Sequence, residues 1–206
     1  MSYIRNFTGV GLLDLPLVGG KNASLGEMVR HLGSSGVRVP GGFATTVEAY
    51  HAFLDYNGLT ERIAGTLASL DVKNIAQLEQ AGSRIRAWIE QGEMPAGLAE
   101  EIAAAYGELG ATYGKNPDVA VRSSATAEDL PNASFAGQQD TYLNVRGLDA
   151  LLVTCRRVYA SLFNDRAISY RAHQDFAHDK VGLSIGVQKM VRADIGAAGV
   201  MFTLDT

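Results

Sequence analysis

Apolar residues recur with a helical period in some stretches and a strand-like one in others, and the changes of period divide the chain. Tyr3 to Phe7 predicts a short first strand, which Gly9-Val10-Gly11 breaks. Leu17-Val18-Gly19-Gly20-Lys21 then leads into an amphipathic helix. Its Leu25, Met28, Val29 and Leu32 share one face at three- and four-residue spacing, and Gly33 to Gly36 ends it. Val37 to Ala44 predicts a strand interrupted by a Pro40-Gly41-Gly42 turn. From about 45 to 113 the periodicity is helical almost throughout. Thr46 is an N-cap candidate ahead of Val47, Tyr50, Phe53 and Leu54. A further helix carries Ile75, Leu78, Ile85, Trp88 and Ile89, and Pro95 stands where helices start, before Leu98, Ile102 and Tyr106. This stretch predicts a bundle-like helical insert, with Trp88 in its core.

At Asp118 the texture changes. Val119 to Arg122 predicts a buried strand, a polar loop rich in Gly and Ala runs to Gly137, and Thr141 to Val145 alternates as a strand does. Leu148 to Phe163 and Asp165 to His173 predict two helices. Two strand-like runs follow, Leu183 to Val191 and Ala198 to Leu204, separated by Arg192 to Gly196. The sequence stops at Thr206 inside apolar, strand-like residues, whereas C-termini more often trail into polar ones; this predicts a piece of a longer polypeptide. No internal repeat or low-complexity tract is present, which removes solenoids and linkers.

Composition narrows the classes of function. The 206 residues are 47% hydrophobic and 19% charged, too apolar for disorder and long enough for one large domain or two small ones. Lys and Arg number 18 against 22 Asp and Glu, a net charge of -4 that argues against broad nucleic-acid binding while leaving room for a local anion site. No apolar run approaches the roughly 20 residues of a membrane span. The start lacks a signal peptide's apolar core, and the one cysteine, Cys155, excludes an internal disulfide. A reducing, cytoplasmic, globular protein is expected, in which the sequons at Asn22 and Asn132 are chance matches. Cys155 lies in an apolar helix and reads as a buried structural thiol. His31, His51, His173 and His178 are scattered, so no zinc cage is expected, and the P-loop, dinucleotide and H-E-x-x-H motifs are absent.

Two segments remain as candidates. Gly19 to Leu25 pairs glycines, which let backbone pass close to a ligand, with a helix start and the full charge of Lys21. The competing reading is a plain turn into a helix with a solvated lysine. The second runs from Val121 to Asp129 and on from Ser134 to Thr141. Arg122 at a strand end has a guanidinium fork able to clamp phosphate oxygens, beside a hydroxyl-rich loop. Equally, it could pair with Glu128 or Asp129 to order that loop.

The runs Gly19 to Met28, Val39 to Thr46, Val121 to Asp129, Ser134 to Thr141 and Ser161 to Arg171 together resemble the N-terminal nucleotide-binding domain of the phosphoenolpyruvate synthases (pyruvate, water dikinases). Related domains occur in pyruvate, phosphate dikinases and rifampin phosphotransferases. The resemblance implies an α+β, ATP-grasp-like domain, of which residues 1–206 are the N-terminal portion. The remainder of the domain, a phosphohistidine domain and a barrel domain are then absent. It implies that Lys21 contacts the nucleotide phosphates and Arg122 grips them. Gly137 and Thr141 would line the phosphate-covering segment, and Gln188 would sit near the adenine. ATP is the implied ligand, with Mg2+ held by residues beyond Thr206. The implied reaction converts ATP, pyruvate and water to phosphoenolpyruvate, AMP and phosphate through a histidine on another domain. None of the four histidines lies in a carrier motif, so no catalytic residue and no turnover are expected of this chain alone. Pyruvate would be met through the absent domains, and a homodimer could cover exposed apolar surface. An antibiotic phosphotransferase module and a non-catalytic nucleotide module are the alternatives. Asn164 to Arg166 and Tyr170-Arg171, though part of the resemblance, read as local ion pairs on a helix.

Overall fold

The computed structural model describes residues 2–126, 129–130, 133–134, 140–174, 176–177 and 181–200, with 129–130 and 133–134 as backbone alone. β1 (Ile4–Asn6) leads through short 3-10 turns at Phe7–Gly9 and Leu12–Asp14 into α1 (Leu15–Leu32), and β2 (Gly42–Thr45) follows. Next come α2 (Val47–Tyr56), α3 (Leu59–Ala68), α4 (Ile75–Gln91) and α5 (Ala96–Tyr113). Then β3 (Val119–Ala125), a small hairpin of β4 (Asp129–Leu130) and β5 (Ala133–Ser134), and β6 (Thr141–Val145) precede α6 (Leu148–Ser161), α7 (Asp165–His173) and β7 (Leu183–Lys189).

Five strands form one antiparallel sheet in the order β1-β2-β7-β3-β6, so the strand latest in the sequence lies at its centre. Directly opposed residues of an antiparallel pair share a face. The register therefore sorts the side chains into two sets. Phe43, Val121, Ile185 and Val187 point to one face, where they merge with Phe53, Ile85, Leu98, Ile102 and Leu151 into a single apolar core. The helices from 47 to 113 thus share their core with β3, α6 and β7. Ala44, Arg122, Ser124, Ser184, Gly186 and Gln188 point to the other face, and Thr141 stands opposite Arg122 there. That face is covered by α1, whose Val18, Ala23 and Leu25 join Phe7, Val10 and Ala44 in a smaller cluster. β7 shows why the faces differ: Leu183, Ile185 and Val187 alternate with Ser184, Gly186 and Gln188.

Local signals set most of the ends. Thr46 accepts a hydrogen bond from the Ala49 N–H at 3.3 Å and so caps α2, as expected, and Pro95 sits at the cap of α5. Other expectations need correction. Met28 is 42% exposed and Ile75 78% exposed. α1 instead buries the small residues Ala23 and Gly26 with Leu25, because the helix approaches neighbouring backbone closely; a Cβ at Gly26 would stand 2.3 Å from the Val10 carbonyl oxygen. The β2 strand begins only at Gly42, the second glycine of the expected turn having joined the strand, and residues 37–41 take no strand conformation. β7 ends at Lys189, and Val191 lies exposed beyond it. Residues 198–200 are not in a strand, and 201–204 of the last expected strand lie outside the described residues. Trp88 is half-buried rather than core, with the Arg62 guanidinium 4.2 Å from its ring centre, a cation–π contact at the surface.

Candidate functional site

The site is built where α1 starts. Gly19 has φ 73° and ψ 164°, a backbone region open essentially to glycine alone. It kinks the helix, and the helical piece that packs on the sheet begins just after it. A Cβ at Gly19 would stand 2.3 Å from the Ser124 carbonyl oxygen and 2.5 Å from Ser124 Oγ. Glycine is therefore required twice, by conformation and by contact. The first turn of a helix leaves N–H groups without intrahelical partners. Here the Asn22 N–H donates to Ser124 Oγ at 3.1 Å.

Lys21 occupies this first turn, half-buried, and the half-buried Arg122 reaches it from β3: Arg122 Nη2 donates to the Lys21 carbonyl oxygen at 3.4 Å. The Arg122 guanidinium thus stands beside the positive end of a helix whose first turn carries Lys21, an arrangement that attracts anions. Thr141 is directly opposite Arg122 on β6 and exposed. Gly186 faces Arg122 from β7, so no side chain intrudes from that strand. Gln188, two residues on, donates from Nε2 to the Pro40 carbonyl oxygen at 3.1 Å. Three of the expected residues (Arg122, Thr141 and Gln188) thus share one sheet face, and Arg122 links it to Lys21 at the start of α1. Gly137 lies outside the described residues, as do the side chains of Glu128 and Asp129.

The periodicity reading overlooked the polar residues that hold this corner together. Asn22, Thr45, Ser124 and Ser184 are all buried. A signal was present in the sequence, since Ser184, Gly186 and Gln188 interrupt an otherwise apolar strand at every second position. Asn22 at no exposure cannot serve as a glycosylation site, in agreement with the chance reading of its sequon; Asn132 lies outside the described residues.

Elsewhere the chemistry is structural. Cys155 is fully buried, and burial pushes its thiol up to about 12. Asp165 is not paired locally: it meets Arg86 of α4 at 2.8 Å, and the same guanidinium nitrogen donates to the Phe163 carbonyl oxygen at 2.7 Å, which docks α7 onto α4. Arg171 is likewise not on a solvated helix face. It is fully buried with its guanidinium 5.6 Å from the Phe163 ring, and burial pulls it down to about 10. His173 Nδ1 lies 2.7 Å from the Ser169 carbonyl oxygen, and His178 is outside the described residues. Among the described residues no three His, Cys, Asp or Glu side chains converge as a metal site would need. None of their helices is long and apolar enough to cross a membrane.

An α+β domain with a guanidinium beside a helix start offers a corner suited to anions, and comparison with known proteins gives its family. Residues 15–206 match the family described as pyruvate phosphate dikinase, AMP/ATP-binding domain, and the chain belongs to that family. Among curated proteins it is similar to a phosphoenolpyruvate synthase of Neisseria meningitidis serogroup B, at 58% identity over all of this chain and 26% of that protein. It is also similar to a phosphoenolpyruvate synthase of Escherichia coli, at 53% identity over 97% of this chain and 25% of that protein. A third relative, a probable phosphoenolpyruvate synthase of Staphylothermus marinus, is 50% identical over 93% of this chain and 22% of its own length. The chain spans about a quarter of the length of these relatives.

Proposed function

We propose that the chain is the ATP-binding part of a phosphoenolpyruvate synthase, and that its fold is the N-terminal portion of an ATP-grasp-like domain. The whole enzyme would convert ATP, pyruvate and water to phosphoenolpyruvate, AMP and phosphate in the cytoplasm. The phosphohistidine and pyruvate steps belong to domains outside this chain. One observation carries the reading: Arg122, Thr141, Gly186 and Gln188 share the sheet face on which Lys21 and the helix start are held.

In this reading the phosphates lie between the start of α1 and Arg122. Lys21 and Arg122 neutralise them, the helix N–H groups orient them, and the Thr141 hydroxyl closes the β6 side. The purine ring takes a cleft of about 570 Å³ whose walls include Val29, Val37, Val39, Pro40, Lys189 and Met190, next to Gln188 in the chain. Apolar walls with a few polar groups suit such a ring. Since Gln188 Nε2 is committed to Pro40, its Oε1 is the atom left to accept from an exocyclic amine. Mg2+ bound with the nucleotide would add charge neutralisation, but the described residues offer no cluster to hold it, and no step is assigned to it.

Calorimetric titration with Mg-ATP tests the proposal. Hydrogen bonds to charged groups contribute about 1.5–3 kcal/mol each, so Lys21→Ala and Arg122→Ala should each weaken binding by roughly 10- to 100-fold. Unchanged affinity in both variants would sink it.

A further inference from the structure

Beneath Lys21 lies a buried polar cluster that the nucleotide reading does not itself call for. Asn22, at no exposure, donates from Nδ2 to the Val18 carbonyl oxygen at 3.1 Å and to Ser184 Oγ at 2.9 Å. Ser184 Oγ donates in turn to the Thr45 carbonyl oxygen at 2.5 Å, and Thr45 Oγ1 accepts from the Ile185 N–H at 2.9 Å. With its own N–H on Ser124 Oγ, Asn22 is tied both to β7 and to β3, the strand that carries Arg122. Its Oδ1 is buried without a hydrogen-bond partner and rests against Gly186, where a Cβ would stand 2.3 Å away. Gly186 is the residue opposite Arg122.

If cohesion alone were needed, an apolar side chain would serve this place better, because a buried acceptor left unsatisfied is destabilising. What the amide adds is geometry. It fixes the rotation and height of the first turn of α1 against β7, one residue away from Lys21, while the tie to β3 is made by the backbone N–H. A site must hold its charged groups to within a fraction of an ångström, and groups behind them supply that precision.

We propose that the Asn22 side chain, acting through Ser184, is the positioning group for the phosphate end of the site: it sets Lys21 and the helix start relative to β7, the strand paired with Arg122, without touching the nucleotide. This rests on the nucleotide reading above. The cluster lies under the phosphates and away from the cleft assigned to the purine, so its loss acts on one end of the ligand only.

The test compares the unsubstituted chain with Asn22→Ala, Ser184→Ala and Lys21→Ala, each first checked for folding by thermal melting. Each is titrated with Mg-tripolyphosphate and, separately, with adenosine. Folded Asn22→Ala and Ser184→Ala should bind tripolyphosphate about tenfold more weakly while their adenosine affinity stays within about twofold. A role in general stability would lower the melting temperature and move both ligands together or neither, and either pattern overturns the proposal. Should Asn22→Ala not fold, Ser184→Ala decides alone, since it deletes one hydroxyl. If Lys21→Ala weakens tripolyphosphate and the other two variants do not, the positioning role fails and the nucleotide reading stands. If Lys21→Ala has no effect on tripolyphosphate, or if the unsubstituted chain does not bind it, the nucleotide reading fails and the positioning role falls with it.

Discussion

Gly19→Ala is the sharpest perturbation the corner allows. With φ at 73° and ψ at 164°, an alanine takes on backbone strain of about 1–3 kcal/mol. Its Cβ would also stand 2.3 Å from the Ser124 carbonyl oxygen, and relieving such overpacking costs typically about 1–3 kcal/mol. The clash is with backbone in a central strand, which cannot swing aside as a flexible side chain would. The two terms together give a destabilisation of about 2–6 kcal/mol, which for a chain of this size lowers the melting temperature by about 4–24 °C. Gly107→Ala is the matched control. Gly107 lies within α5 with nothing within 4 Å of the Cβ position, so the same substitution should stabilise by about 0.5–1 kcal/mol. Urea unfolding followed by circular dichroism measures both, and an unchanged denaturant slope would show that the unfolding reaction is the same. A loss below about 1 kcal/mol for Gly19→Ala, at unchanged slope, would refute the reasoning, since it lies under the least that backbone strain alone should bring.

Three further outcomes are expected. Thr46→Ala removes the cap bond to the Ala49 N–H and should cost about 1 kcal/mol in urea unfolding. Cys155, whose thiol burial raises from 9.0 to about 12, should resist thiol reagents in the folded chain at neutral pH and react on unfolding. The sign for stability follows: native preference for the neutral thiol is fully present below pH 9 and is lost as the pH rises from there towards 12, so the urea midpoint should fall over that interval. In a double-mutant cycle, Arg86 and Asp165 should couple by only about 0.5–1 kcal/mol, because both are partly exposed. Arg86→Ala should nevertheless cost more than Asp165→Ala, as it also strips the Phe163 carbonyl of its donor.

How much of this was legible in the sequence depended on the range of the interaction. Signals confined to a few residues carried well: the cap at Thr46, the proline before α5, and the alternation that places β6 at Thr141–Val145. The helical face of α1 was misjudged because large apolar residues such as Met28 attract attention, while close approach to backbone is made by Ala23 and Gly26. Arg171 looked like a surface cation, yet it is fully buried, with Tyr50, far off in the chain, among the groups that act on it. For the site, Lys21 and Arg122 were suggested by local chemistry, a charge at a helix start and a guanidinium at a strand end, although β3 continues to Ala125 and holds Arg122 in mid-strand. Thr141 and Gln188 came only through family resemblance, and the pairing that brings them to one face is a matter of strand register, which no local pattern in β7 reveals. Asn22 was hidden for the same reason, since its partners Ser124 and Ser184 lie 102 and 162 residues away.

The most direct measurement is amide-resolved NMR of the chain titrated with Mg-ATP. The largest shifts should fall at Gly20 to Asn22 of α1 and at Arg122, Thr141, Gly186 and Gln188 on the sheet face that α1 covers. Shifts concentrated instead around the apolar cavity between α2 and α3, lined by Tyr50, Leu54, Ile63 and Leu67, would contradict the placement of the nucleotide.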